Sequence, residues 1–365
     1  MPPRLRLVVV ARLDDTKLRS KLAPIVALEE VEELVLVRRT PLALPGVSNL
    51  CPPRWASSVP LLAEAWRLWT ILRLCARRRP SYVIALYMIP HGIYAEIARR
   101  LFGLPTILVS LSQLDLDLSL RRPFLWRALR AAHRVGVRGA HSRRRLVEAG
   151  LDPARVFEPP NVHDVAAYEA VDDAAKNVDV LYVGGLVPCK RVDVLLRAVA
   201  QVRERRPGLR VVLVGGGERR AELEDLAAAL RLGETVTFAG EEPPEAVARW
   251  LGRARLFILT SEVEGLPMAM VEALSAGVPV IVPDVGDVTT VARDGENAWV
   301  VRGGAPESYA EAMATLLDDE PRRRRLSEGA RGSRARFVKD YSLAAGMAAW
   351  RDALAGTAPR TGDAA

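Results

Sequence analysis

Thr260-Ser-Glu-Val-Glu264-Gly-Leu-Pro267-Met-Ala-Met-Val-Glu272-Ala-Leu-Ser-Ala-Gly277-Val-Pro279 carries the pattern from which the architecture of the chain can be built. It follows a short apolar run, Leu256 to Leu259, and leads into another, Val278 to Val282. Strand, loop, helix and strand in that order make one step of a parallel α/β sheet. Pro267 suits a first helical position, where its missing N–H goes unnoticed, and Gly265 lets the backbone come close to a ligand. A helix that starts there aims free N–H groups and a partial positive charge outward, where a diphosphate can sit. Glu264 falls in the loop before the helix and Glu272 in its second turn. Carboxylates accept hydrogen bonds from paired vicinal hydroxyls, so two of them along one ligand suit a sugar at one end and a ribose at the other.

The same alternation extends in both directions. Upstream in this half come a strand from Val178 to Val183, a helix from Val192 to Arg205, a strand from Leu209 to Val214, a helix from Arg219 to Leu230 and a strand from Val236 to Phe238; downstream comes Ala298 to Val301. In the first half, Leu5 to Ala11, Leu34 to Val37, Tyr82 to Leu86, Thr106 to Ser110 and Arg134 to Val137 read as strands with helices between them. The helix predicted over Leu61 to Arg79 stops before Pro80 and carries Trp66 and Trp69, which read as core anchors, with an interfacial helix as the alternative. A boundary is expected between Asn161 and Lys176, and a frayed tail from Ala355. The fold class expected is α/β with two doubly wound Rossmann-like domains facing a cleft, ligands lying at the carboxyl ends of the strands.

A chain of 365 residues is too long for one ordinary core. Its 50% hydrophobic and 26% charged residues are those of a folded protein rather than a disordered one. No apolar run approaches the roughly 18 residues of a membrane span, and Asp14 and Asp15 interrupt what a signal peptide would continue, so a cytoplasmic protein is expected. Cys51, Cys75 and Cys189 show neither disulfide nor zinc spacing. Up to residue 165 there are 26 Lys and Arg against 14 Asp and Glu, and beyond it 26 against 30. The basic excess therefore lies in the first half. It points to an anionic partner such as a phosphorylated acceptor or the inner face of a membrane, or else to arginine-rich codon usage.

Glu264-x7-Glu272 within Glu-Gly-x-Pro, followed by Glu-Ala and Gly-x-Pro-Val, resembles the signature of the retaining glycosyltransferases of family four, also called glycosyl transferases group one. The resemblance implies a GT-B fold, with domains over 1–168 and 169–338 and a C-terminal helix at about 340–356 returning to the first. It implies an enzyme that moves a sugar from a UDP- or GDP-sugar to a glycan, lipid-linked or small-molecule acceptor, with no other cofactor and no metal. Glu264 would contact the transferred sugar and Glu272 the ribose. Tyr182-Val-Gly184-Gly-Leu-Val-Pro-Cys-Lys190-Arg is similar to the family's Gly-Arg-Leu-x3-Lys-Gly, which places Lys190 on the diphosphate. Gly185 replaces the usual phosphate-binding Arg and Arg191 the usual Gly, so Arg191 is a candidate to restore the charge. Gly184, Gly185, Gly215, Phe238, Gly240, Gly265, Leu266 and Pro267 complete the donor side by position.

The first half departs from the family. The loop after the first strand, Ala11 to Lys17, has no glycine, and Asp14, Asp15 or Lys17 are candidates for the acceptor instead. No histidine stands where many members carry one near the reacting carbon; Ser112, Gln113 or Asp115 are candidates there, and His91 is the best histidine candidate for catalysis. Asp115-Leu-Asp117 looks like a metal-binding DxD, but that motif belongs to another glycosyltransferase fold. A dinucleotide oxidoreductase fails because Arg220 occupies the last glycine of the Gly-x-Gly-x-x-Gly pattern. A catalytically degenerate nucleotide- or sugar-binding subunit is the remaining alternative. A nucleic-acid binder would rest on the basic half alone.

Overall fold

The computed structural model describes residues 4–110, 113–168 and 176–355, the side chain of Gln113 excepted. Ser112 and the tail beyond Ala355 thus lie outside the described residues. The chain divides into two compact units: one runs to His163 and resumes at Tyr341, and the other is Asp164–Asp340.

The first unit carries β1 (Leu5–Val10), β2 (Val31–Val37), β3 (Val47–Leu50), β4 (Tyr82–Leu86), β5 (Thr106–Val109), β6 (Arg134–Gly136) and β7 (Val156–Phe157). They form one parallel sheet in the order β3-β2-β1-β4-β5-β6-β7. Alternate side chains point to opposite faces. Val8, Val10, Val35, Val37, Val83 and Ala85 therefore enter one core, while Leu7, Val9, Leu34, Leu36, Tyr82 and Ile84 enter the other. Near-continuous β-branched and aliphatic runs are what a sheet covered on both faces requires. The C-terminal helix Leu343–Ala355 closes the second core: Trp350 meets Phe157 edge-on at 5.2 Å, and Tyr82 Oη donates to the Leu354 carbonyl at 2.8 Å. Gly346 allows this approach, since a Cβ there would stand 2.8 Å from Pro24 Cβ.

The second unit carries β8 (Val178–Val183), β9 (Val211–Val214), β10 (Val236–Gly240), β11 (Ala254–Ile258), β12 (Val280–Pro283) and β13 (Ala298–Val301), all parallel, in the order β10-β9-β8-β11-β12-β13. The order reverses between β8 and β11, and in the first unit between β1 and β4. In doubly wound sheets this reversal opens a crevice at the strands' carboxyl ends, because the flanking loops depart to opposite faces.

Two readings of elements change. Val47–Leu50 and Val156–Phe157 are edge strands too short and too half-buried to show alternation. On the helix Pro60–Arg78, Trp66 packs on the core as expected, but Trp69 is 54% exposed with Arg73 stacked over its ring at 5.1 Å. Among the described residues no helix is long and apolar enough to cross a membrane.

Candidate functional site

In the second unit the loops that leave β8 and β11 meet where the strand order reverses. Lys190 ends a short 3-10 turn after β8, and Glu264 sits in the loop after β11. Lys190 Nζ donates to Glu264 Oε1 at 2.5 Å, and Ser261 Oγ donates to the same oxygen at 2.7 Å. Glu264 is buried, with a side chain 7% exposed against 22% for Lys190. The Thr260 hydroxyl faces the carbonyls of Lys190 (3.1 Å) and Arg191 (2.9 Å), and Glu262 N donates to the Cys189 carbonyl at 2.9 Å. The two loops are therefore tied through backbone and side chain, and Lys190 is held in place by more than its own rotamer.

Glycines bring the other loops into contact. A Cβ on Gly215, whose φ is +139°, would fall 1.9 Å from the Gly184 carbonyl oxygen, and one on Gly286 would fall 1.9 Å from the Glu264 carbonyl oxygen. Gly215 N also donates to the Gly240 carbonyl at 2.7 Å and Gly184 N to the Val214 carbonyl at 2.9 Å. Gly184, Gly185, Gly215 and Gly240 thus border one cluster of loops beyond β8, β9 and β10, with half-buried Phe238 on the last of these strands. Gly265 accepts from Asp287 N at 3.3 Å.

The helix Met268–Ser275 begins one residue later than the sequence suggests. Pro267 is its N-cap, with φ −73° and ψ 114°, rather than its first helical residue. Leu266 and Pro267 still bring the chain to a helix start whose first N–H groups lack intrahelical partners. Glu272, in the second turn, is hydrogen-bonded by Tyr168, whose hydroxyl is pushed up in pKa by burial first and then by the Glu272 and Glu245 carboxylates. Nothing in the sequence singled out the roles of Tyr168, Ser261 or Thr260: Tyr168 and Thr260 meet their partners only across distant segments, and Ser261 reaches Glu264 through the turn of their shared loop.

Arg191 is the informative departure. It adopts the left-handed conformation, φ 47° and ψ 43°, as N-cap of the helix Val192–Arg205. Its guanidinium lies 3.4 Å from Asp193 and 3.8 Å from Glu262. Asp193 loses some solvation by burial, which raises its pKa, but its contacts with Arg191 and Arg219 leave it lower overall. The arginine charge is thus already engaged by two carboxylates.

The first-unit candidates are mostly committed to local structure. Asp14 caps the helix Asp15–Val26, accepting from Lys17 N at 2.8 Å, and pairs with Lys17 Nζ at 2.8 Å. Asp15 holds Arg38 at 2.8 Å. Asp115 is buried and accepts from Met88 N at 3.0 Å; burial pushes its pKa up to about 6. Its neighbour in the DxD-like pair, Asp117, instead meets Arg145 at 2.6 Å, so the two carboxylates serve different partners. His91 is fully buried, its Nδ1 2.9 Å from the Leu86 carbonyl and its pKa lowered by burial. The ring has no exposed surface here and faces the interior rather than an open strand end. Ser112 and the Gln113 side chain fall outside the described residues.

Two larger hollows of the second unit, about 630 and 370 Å³, lie on flanking helices around Gln201 and Glu311 and around Arg323 and Glu328. Neither borders the loops at the carboxyl ends of the strands; the second reaches Ala254, Gly277, Val278 and Pro279 at the amino ends of β11 and β12.

The architecture is that of the GT-B fold, two Rossmann-like units each with a parallel sheet. It is similar over 97% of the chain to sucrose-phosphate synthase from Thermosynechococcus elongatus, with a TM-score of 0.78 and 19% identity over all of that chain. It is likewise similar over 97% to Anabaena Alr3699/HepE solved with UDP-glucose, with a TM-score of 0.75 and 17% identity, again over all of that chain. Residues 169–333 match the family described as glycosyl transferases group 1. The D-inositol 3-phosphate glycosyltransferase of Nocardia farcinica is 36% identical over 212 residues, 53% of this chain and 47% of the relative. That of Acidothermus cellulolyticus is 34% identical over 231 residues, 58% and 51% respectively. The chain thus spans about half the length of the curated relatives it matches.

Proposed function

We propose that the protein is a retaining glycosyltransferase that binds a UDP- or GDP-sugar on its second unit. The observation that carries this is the Lys190–Glu264 pair at the reversal of strand order, inside the stretch that matches glycosyl transferases group 1. UDP and UDP-glucose, the ligands of the HepE structures, are the first donors to test.

In this reading the diphosphate lies against Lys190 and the N–H groups at the start of Met268–Ser275, Glu264 faces the transferred sugar, and Glu272 faces the ribose. Transfer breaks the bond between the anomeric carbon and the donor phosphate, the nucleoside diphosphate leaving with the electron pair. The acceptor oxygen bonds to that carbon on the same face, and its proton passes to the departing phosphate. Lys190 and the backbone N–H groups stabilise the charge as it develops. No enzymic nucleophile or metal enters this scheme. The acceptor is a glycan, a lipid-linked sugar or a small molecule, held by the first unit.

Peripheral contact with an anionic membrane belongs to the same reading. Trp55, Leu61 and Trp69 are 68%, 81% and 54% exposed on the arginine-bearing helices Arg54–Ser57 and Pro60–Arg78. Apolar side chains of this size beside basic ones suit a headgroup boundary.

The test is a thermal-shift series with UDP, GDP, ADP and their sugar conjugates on wild type and Glu272→Ala, alongside an assay for donor hydrolysis or transfer. Stabilisation by one nucleotide family, lost in Glu272→Ala and accompanied by turnover, supports the proposal. Stabilisation without turnover favours a degenerate binding subunit, and no stabilisation by any of them overturns the donor site.

A further inference from the structure

The carboxyl edge of the first sheet holds a second polar site that the donor chemistry does not use. Beyond β1 and β2, the segments Ala11–Leu13 and Arg38–Arg39 face the first two turns of the helix Pro60–Arg78 across a pocket of about 140 Å³. Arg12, Arg38, Arg39 and Arg67 line it, with Glu64 the one acidic residue among its lining. The pocket stands beside the point where the strand order reverses, between β1 and β4, the ligand side of such a sheet.

The four guanidinium groups are not equally engaged. Arg38 is buried and spent on Asp15 and the Leu13 carbonyl. Arg39 is exposed and donates to the Ser57 carbonyl at 3.1 Å from one nitrogen. Arg12 is exposed and makes no hydrogen bond or ion pair with the described residues. Arg67 is the unusual one. It is 3% exposed, and its Nε and Nη1 have no hydrogen-bond partner, although Glu64 lies 3.1 Å from Nη1 as an ion pair. Glu64 in turn accepts from Tyr94 Oη at 2.9 Å. A buried guanidinium with unsatisfied N–H groups is costly unless an anion completes it.

We infer that this pocket binds a phosphoryl group carried by the acceptor, with Arg67 at its base and Arg12 and Arg39 at its mouth. The inference rests on the glycosyltransferase reading for the word acceptor, and on the pocket alone for the anion. Counting Asp15 with Glu64, two carboxylates face four guanidinium groups, which leaves a surplus of two positive charges. A phosphate monoester carries about −1.5 to −2 at neutral pH and so matches that surplus, whereas a carboxylate supplies half of it. At roughly 30 Å³ per water, the volume is that of four or five waters, enough for a tetrahedral oxyanion and too little for a nucleotide. The fork of an arginine is also the side-chain geometry that meets phosphate oxygens in pairs.

The test is a calorimetric titration of glycerol 1-phosphate, and of glucuronate as the carboxylate control, into wild type, Arg12→Ala, Arg12→Ala/Arg39→Ala and Lys190→Ala. Both arginines are exposed, so their removal leaves the cores intact, and an unchanged melting temperature checks this. The expected result is binding of glycerol 1-phosphate by wild type and Lys190→Ala, weakened about tenfold or more in the double variant, with glucuronate weaker throughout. A parallel titration with vesicles containing phosphatidic acid separates the sources. Vesicle binding that glycerol 1-phosphate displaces points to a lipid-linked phosphate, and binding of the soluble ester alone points to a free one. Equal affinity in wild type and double variant, or loss in Lys190→Ala alone, overturns the inference and returns phosphate binding to the donor loops. Because the readout is binding of the ester itself, failure of the nucleotide screen leaves this result standing.

Discussion

Lys190 Nζ and Glu264 Oε1 stand 2.5 Å apart although 74 residues separate them in the chain. Their loops leave β8 and β11, the two strands that become neighbours when the winding reverses. The fold thus places a cation and a carboxylate beside the reversal of strand order, where doubly wound sheets open a crevice. On the proposed donor reading, a diphosphate draws Lys190 partly away from Glu264 and leaves that carboxylate to the sugar hydroxyls.

Replacing Lys190 by Met removes the cation and leaves Glu264 buried with Ser261 as its remaining partner. Breaking a buried pair on one side is costly, and the partial exposure of Lys190 reduces the penalty. We expect a loss of about 1–3 kcal/mol in stability and a fall of roughly tenfold or more in nucleoside-diphosphate affinity. Urea melts and calorimetry measure the two effects separately; undiminished nucleotide affinity removes Lys190 from the diphosphate site.

Arg191 sits in the left-handed region at φ 47°, a conformation that costs a non-glycine residue about 1–2 kcal/mol. Glycine is what the resemblance expects at this position, and the backbone angle supplies the reason. Arg191→Gly relieves the strain and loses ion pairs to Asp193 and Glu262, which at 41% side-chain exposure are weak. The variant is expected to melt no lower than wild type and to bind nucleotide with affinity changed less than about threefold. A large loss of affinity instead shows that the guanidinium turns from its carboxylates to the donor.

Asp115 accepts from Met88 N, and burial raises its pKa to about 6 from an ordinary 3.8. Between those values the folded chain holds a proton that the unfolded chain has released, so this contribution to stability falls as pH rises through about 6. Asp115→Asn keeps an acceptor for Met88 N and cannot ionise. It is expected to gain stability over wild type by about 1–2 kcal/mol at pH 7 and by less at pH 4. Parallel denaturant melts at the two pH values check the sign.

Much of this was legible in the sequence because parallel strands covered on both faces leave near-continuous apolar runs. Tyr82–Leu86 and Val178–Val183 fall where their composition put them. Val47–Leu50 did not show itself: an edge strand has one neighbour, and the Asn49 side chain is used on the preceding loop, exchanging hydrogen bonds with the Leu42 backbone at 2.8 and 2.9 Å. Lys190, Glu264 and Glu272 stood out in the sequence through resemblance to family motifs, and the fold brings Lys190 against Glu264. Tyr168 and Ser261, which contact those carboxylates, carry no such signal. The burial of His91 came only with the fold, because a histidine at a strand end looks the same in sequence whether its ring faces solvent or the core.

Lys21 offers the last test, on a group that no motif marked. Burial first, and then the nearby Arg138 charge, depress its pKa from 10.5 to about 7, and its Nζ donates to Asn161 Oδ1 at 2.5 Å. Between about pH 7 and 10.5 the unfolded chain binds a proton at this lysine that the folded chain has given up. The unfolded state then binds more protons, so stability rises with pH across that window, and below it the folded state carries the full penalty of a desolvated ammonium. Lys21→Met removes the charge and keeps most of the volume, at the loss of one hydrogen bond to Asn161. The variant is expected to be more stable than wild type by about 1–3 kcal/mol at pH 6, with the difference shrinking toward pH 10. A difference that stays constant from pH 6 to pH 10 shows that Lys21 titrates normally and that the ammonium reaches solvent.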